Sequence, residues 1–392
     1  MRSTSCSEIA RETLEQCIAG RVPKELPRVL AEEACGQSLF TTLVEGLADR
    51  FEPSLCDAYA KLFSQAVARV LPEMDAAGLV SRYERVRRVR SIAGKPHRVF
   101  VLSRVTLGAD VAVTSVLLAA AKRRFPHAEV VFVGPQKNYE IFAADPHVHH
   151  VPLAYTRGGL RERLGTIEHL RSVLSPADSV VIDPDSRLTQ LGLLPVCPEE
   201  RYHLFESRGY GGDSDQCLPE LASQWAAETF GLAGAKPYTA LPKTTRHGGY
   251  VSVSFGVGEN AAKRIPDPFE EQLLRLLADR GKRICIDMGG GGEEGERVAR
   301  ALERSGVHAM VWDGSFAGFA SIIAGSELYV GYDSAGQHIA AACGVPLISI
   351  FAGFPAPRMF ERWRPYGASS KVIRVDRPDP EETLERVREA LD

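Results

Sequence analysis

Asp333 and Ser334 end an apolar run, and Gly336, His338 and the small residues Ala340, Ala341 and Ala342 follow them. A helix that starts here turns unpaired backbone amides outward. Ser334 stands beside them and Gly336 keeps the steric profile low, so the helix start suits an anion such as a phosphate. His338, one turn further on, can reach the same guest. The spacing fits a plain helix cap at Asp333 or Ser334 equally well, with His338 half-buried at the surface. A helix terminus contributes about 0.3–1 kcal/mol toward a charge, whereas micromolar binding needs about 8 kcal/mol. A nucleotide at this site therefore needs further cations, and Lys263 and Arg264 are candidates. They close the glycine-bearing loop GVGENAAKRIP, which follows the apolar run YVSVSFG.

A carboxylate occupies the corresponding turn of the first half. After RVFVLSRV comes TLGAD, with Gly108 in the turn and Asp110 at the start of a helical stretch. Asp110 would repel phosphate, so its chemistry is that of a proton acceptor for an incoming hydroxyl, or it is an ordinary helix cap. The DPDSR segment holds Asp183 and Asp185, a pair that could bind a divalent ion. A structural turn or an acceptor loop with Arg187, Arg201 and Arg208 fits that position better, and no metal site is expected. Arg104, Arg187 and Arg208 are the acceptor-side candidates. The glycine runs 289–292 and 209–212 lack phosphate-loop spacing and read as flexible rims.

These turns need a scaffold, and the apolar runs supply it. From Arg98 onward, short continuous apolar runs alternate with helical stretches, the pattern of an open parallel α/β sheet. A second such series begins at Gly249. The polar stretch AGAKPYTALPKTTRHGG lies between the two. The expected architecture is two Rossmann-like domains, 96–245 and 246–392, facing a cleft at the carboxyl edges of their sheets. Residues 1–95 carry helical periodicity, as in Leu39, Leu43, Leu47 and in Leu55, Tyr59, Leu62, Phe63, Val67. They form a small helical extension. Its arginine-rich end, residues 82–90, reads as a docking or solvated face, with an acidic partner or anionic membrane surface as the alternative.

The 392 residues are 44% hydrophobic, enough for two or three cores. A formal charge of -3 provides no global basic field, so no nucleic-acid partner is expected. No apolar run reaches the length of a signal peptide or a membrane span, which points to the cytoplasm. The eight cysteines have no CxxC pair or metal spacing and read as reduced thiols.

Several motifs together resemble the ADP-heptose lipopolysaccharide heptosyltransferases, inverting enzymes of the GT-B fold. The likeness spans roughly residues 98–365. SRVTLGAD and KRRFPHA stand where that family has a strand, an LGD turn and a helix ending in KxxFPxA. Lys263, Arg264, Ile265 and Pro266 match its KRWP-like element, and residues 291–294 match its GGxxE loop. Residues 333–351 match D(S/T)GxxHxAAAxGxPxxxxF. The turn here is one residue longer than LGD, and the glycine after Asp333 and Ser334 is displaced by one, to Gly336. The extension has no counterpart.

The resemblance implies a metal-independent inverting glycosyltransferase without a cofactor. It would move heptose or a related sugar, from an ADP-sugar, to a hydroxyl of a glycan, lipid-linked or protein acceptor. Asp110 would be the base, and Lys263, with Arg264 beside it, would contact donor phosphates. Asp333 would bind donor sugar hydroxyls, and Ser334, Ala335, Gly336 and His338 would hold the diphosphate. A bacterial, cytoplasmic enzyme is implied, peripheral to the inner face of the membrane where the acceptor is lipid-linked. Two alternatives remain open at this stage: a non-catalytic sugar-nucleotide or glycan-binding protein on the same fold, and a nucleotide-sugar epimerase. Acceptor identity and oligomeric state are not encoded in any motif.

Overall fold

The structure, a computed structural model, describes residues 5–242, 249–258 and 260–392. Residues 1–4, residues 243–248 of the expected connection, and Glu259 of the loop before Lys263 lie outside the described residues. The chain divides into two compact units.

The first unit holds Met1–Thr106, Val116–Tyr139 and His147–Ala235. Its strands are β1 (Arg98–Leu102), β2 (Glu129–Gly134), β3 (Val148–Pro152), β4 (Ser179–Asp183) and β5 (Tyr202–Leu204). They form one parallel sheet in the order β3-β2-β1-β4-β5. The inner strands are apolar without alternation because both faces are covered. The order reverses between β1 and β4, and this switch point is where open α/β sheets take ligands. It sets the turn after β1 beside the loop after β4.

The extension forms helices over Cys6–Ile18, Pro53–Val70 and Ala76–Val86, with a shorter helical stretch from Gly36 to Ala48. These helices do not close on a core of their own. Leu43, Tyr59, Phe63 and Tyr83 share one hydrophobic cluster with Phe100, Val131, Val181 and Leu204 of the sheet. The helical periodicity is thus the imprint of a sheet-covering layer. The described helices of the extension and the first sheet thus share one hydrophobic cluster.

The arginine-rich end of the extension is a docking face. Arg85 pairs with Glu199 at 2.7 Å, Arg90 donates to the carbonyls of Glu199 and Tyr202, and Arg87 pairs with Asp57. The expectation of eight reduced thiols needs correction: Cys6 and Cys35 form a disulfide, with their Cα atoms 5.4 Å apart. The fold of the chain brings them together, and no local spacing announces the pair.

The second unit holds Leu107–Ser115, Glu140–Pro146 and Lys236–Asp392. Its strands are β6 (Tyr250–Ser254), β7 (Arg283–Asp287), β8 (Met310–Trp312), β9 (Leu328–Tyr332), β10 (Leu347–Phe351) and β11 (Ser370–Arg374). They form a parallel sheet in the order β11-β10-β9-β6-β7-β8. Here the order reverses between β6 and β9. The loop carrying Lys263 follows β6 and the Asp333 turn follows β9, so topology alone makes them neighbours. The final helix, Pro380–Leu391, is capped by Asp379, whose side chain accepts from the Glu382 amide. Among the described residues no helix is long and apolar enough to cross a membrane.

Candidate functional site

The helix after β9 runs over Ala335–Cys343 and ends at Gly344 in the left-handed conformation. Ser334 is its extended N-cap residue, and no side chain caps the helix. The first amides are therefore not taken up by Ser334 or Asp333, as a plain cap would require. Gly336 is fixed by sterics: a Cβ there would lie 2.3 Å from the Tyr329 hydroxyl oxygen. Only glycine lets the first turn lie this close to the buried Tyr329 ring.

Asp333 and Lys263 meet at this turn. The Lys263 Nζ lies 2.6 Å from Asp333 Oδ2 and donates to the Asp333 carbonyl at 3.2 Å. Lys263 keeps 18% of its side chain exposed while Asp333 keeps 6%, so the ammonium is the more accessible partner. Gln337 donates to the other Asp333 oxygen and accepts from the Ser349 hydroxyl. Lys263 ends a short turn, Ala261–Lys263, capped by Asn260, whose amide also donates to the Gly353 carbonyl. A Cβ on Gly353 would lie 2.5 Å from the Ala262 backbone, so that glycine seats the loop.

Gln337, Ser349, Asn260 and Gly353 were not singled out in the sequence. Gln337 stands four residues after Asp333, about one helical turn on, a spacing that could have revealed it. Ser349 is a polar interruption in an apolar strand and carries a similar signal.

His338 is buried, and burial lowers its pKa to about 4, with Lys263 acting in the same direction and Asp333 opposing. It is a neutral hydrogen-bonding group at neutral pH. It faces Trp363, ring centroids 5.9 Å apart. Arg264 is engaged by Asp267 and by the buried Glu270, 3.4 Å away. Arg297 and Tyr332 bind the same Glu270. Arg264 thus belongs to the ion-pair cluster around Glu270, while Lys263 belongs to the Asp333 turn.

The Asp110 turn packs on this helix start. A Cβ on Gly108 would lie 3.2 Å from both the Ala335 Cα and the His338 Cδ2. Asp110 opens a π-helical segment, Asp110–Thr114, between Leu107–Ala109 and the α-helix Ser115–Arg124. A π turn accommodates one extra residue in a helix, and this one begins at the last residue of LGAD. Asp110 is buried and accepts a 2.6 Å hydrogen bond from Thr114 Oγ1.

The remaining candidates lie in the first unit. Arg208 is buried, with its Nε 2.9 Å from Asp185 Oδ2. Arg104 donates to Ser207 Oγ at 2.7 Å and to the Pro184 carbonyl, and Arg187 pairs with Glu45 at 3.1 Å. Asp183 accepts from the Ser186 amide, Thr189 and Tyr202. The Asp183 and Asp185 pair is thus committed to a structural turn. Among the described residues no group of three or more His, Cys, Asp or Glu could hold a metal ion.

Residues 210–390 match the sequence profile of Glycosyltransferase family 9 (heptosyltransferase). No curated protein matches the sequence. Among solved structures, the chain is similar to the E. coli heptosyltransferase WaaC with ADP, with 20% identity over 75% of this chain and 98% of that one and a TM-score of 0.56. It is also similar to the E. coli ADP-heptose lps heptosyltransferase II, with 17% identity, coverage of 75% and 98%, and a TM-score of 0.51. A glycosyl transferase family 9 structure from Veillonella parvula DSM 2008 matches with 14% identity, coverage of 77% and 91%, and a TM-score of 0.56. The two parallel sheets with their helices match the GT-B structures of those enzymes. The chain thus shares the GT-B fold of those heptosyltransferase structures, and residues 210–390 are similar to glycosyltransferase family 9.

Proposed function

We propose that the protein is an inverting, metal-independent glycosyltransferase that moves heptose or a related sugar from an ADP-sugar to an acceptor hydroxyl. The observation that carries this reading is the Lys263–Asp333–Gln337 cluster at an uncapped helix start, with the Asp110 turn packed on the same helix.

In this reading the acceptor oxygen attacks the anomeric carbon and its proton passes to Asp110. The bond from that carbon to the phosphate oxygen breaks, and the electron pair leaves with the nucleoside diphosphate. Lys263 and the amides of Ala335 and Gly336 stabilise the charge that develops there. His338 assists as a neutral hydrogen-bond donor. Asp333, held in orientation by Lys263 and Gln337, binds sugar hydroxyls. Ser334 lines the helix start, and Arg264 supports the loop through Glu270 without touching phosphate. Lys263 and the helix amides supply the positive charge otherwise asked of a metal, and the chain's DxD pair is used in its own turn.

The donor is assigned to 246–392 together with the Asp110 turn, and the acceptor to the carboxyl edge of the sheet in 96–245. The acceptor is a glycan, a lipid-linked sugar or a protein. The reading places the enzyme in the bacterial cytoplasm, at the inner membrane face for a lipid-linked acceptor.

Thermal unfolding with ADP-, UDP-, GDP- and CDP-sugars, with EDTA or added Mg²⁺, tests this. Donor at about 100 times its dissociation constant adds about 2.7 kcal/mol. A shift selective for ADP-sugars and indifferent to EDTA is expected. A shift that requires Mg²⁺, or none with any donor, overturns the reading.

A further inference from the structure

The loop after β4 holds an unusual backbone. Asp185, Gln190 and Leu191 are non-glycine residues in the left-handed region, with φ of 71°, 50° and 55°, and Gly192 follows at 82°. Such conformations persist only where surrounding structure over-determines them, and they cluster at functional sites.

Side chains hold this loop, two of them from the extension. The Gln190 carbonyl accepts from the Tyr59 hydroxyl at 2.7 Å and the Leu191 carbonyl from Arg208 at 3.3 Å. The Gly192 and Leu193 carbonyls both accept from Arg82, at 2.9 and 3.3 Å. Four consecutive carbonyls are each taken by a side-chain donor.

The same network continues to the turn after β1. Tyr83 donates to Glu206 and accepts from Arg208 at 3.0 Å. Arg208 binds Asp185, Ser207 donates to Asp185 at 2.9 Å, and Arg104 donates to Ser207. Arg104 precedes Val105, a β-branched residue at φ 73°. The extension is therefore joined, by hydrogen bonds within one compact unit, to both loops at the switch point of the first sheet.

We propose that Tyr59, Arg82 and Tyr83 are positioning residues, through which the helical extension fixes the loops after β1 and β4 in the shape that selects the acceptor. The proposal rests on the assignment of the acceptor to this sheet edge. An extension serving only as a lid on the core would require apolar contacts alone and no donors aimed at three loop carbonyls.

Tyr59→Phe and Tyr83→Phe in the full chain keep the rings in the core and remove only the hydroxyls; Arg88→Gln, exposed on the same extension, is the control. Hydrogen exchange of amides 185–194 is expected to quicken about tenfold in both tyrosine variants, and acceptor KM to rise by a similar factor, the scale of one lost hydrogen bond. The ADP-sugar-induced thermal shift should stay as in wild type. Unchanged exchange in these loops overturns the proposal, as does a rise in donor KM equal to that in acceptor KM. Should the wild-type protein transfer to no acceptor, the transferase reading fails. The exchange measurement still decides whether the extension holds the loops.

Discussion

The two sheet edges use their polar groups in opposite ways. At the first sheet, the loops after β1 and β4 are saturated from within: a buried Arg208–Asp185 pair, left-handed residues, and carbonyls held by the extension. At the second sheet, the loops after β6 and β9 are trimmed rather than filled. Gly336 and Gly353 let backbone approach backbone and ring, the helix start has no side-chain cap, and Lys263 keeps part of its charge exposed. On the proposed reading, the difference separates an edge that holds a shape from one that meets a charged guest. Burying an ion pair costs desolvation that only tight geometry offsets, so the first edge is rigid at the expense of free charge. An uncapped helix start with a nearby ammonium keeps electrostatic capacity for the ligand.

The contrast can be tested from its strongest consequence downward. Asp110→Asn should lower kcat by about 10²–10⁴-fold, the usual range for a positioned general base, while donor affinity measured by calorimetry stays unchanged; near-normal turnover would remove Asp110 from the chemistry. Arg208→Met should destabilise the first unit by about 3–5 kcal/mol, because it leaves Asp185 buried without its partner. Urea unfolding checks this, and a loss below about 1 kcal/mol would mean that the edge is not held by the pair. Lys263→Met should lower kcat by about 10²–10³-fold, as for the loss of one group that stabilises developing charge. Its effect on stability should be far smaller than that of Arg208→Met. The reverse order of the two variants would erase the distinction between the edges.

The smallest effect appears in acid. His203 in the first unit and His338 in the second are both buried, and burial lowers each pKa from 6.5 to about 4. Below pH 6.5 the unfolded chain takes up protons that the native imidazoles refuse until about pH 4. Stability therefore falls as pH drops through that window, by up to about 3 kcal/mol per histidine at 1.36 kcal/mol per unit. Urea unfolding at pH 4.5 and 7.5 should show a weaker pH dependence in His203→Gln and His338→Gln than in wild type. Identical dependence in a variant would mean that the histidine titrates normally in the native state.

Much of the candidate site at the second sheet was legible from local pattern. The apolar runs that became β6 and β9 each end on a turn carrying a candidate residue, and period and composition mark such strands directly. Gly336 and the alanines after it announced a helix lying close to its sheet. The fate of Arg208 was not legible. Its partner Tyr83 lies 125 residues away, and the Tyr59 contact to Gln190 spans 131. The Cys6–Cys35 disulfide failed to show for the same reason. Lys263 and Arg264 illustrate the limit within two positions: adjacent cations look alike in sequence, yet one reaches Asp333 and the other Glu270.

The sequence by itself determined where each strand stops and which residue types stand at each stop, because backbone periodicity and side-chain polarity are local properties. Tertiary structure alone decided which charges would be neutralised inside the protein and which would remain for a ligand. Burial and pairing depend on neighbours that the sheet order brings together from distant parts of the chain. The difference in water exposure between Arg208 and Lys263 therefore appears only when the chain has folded.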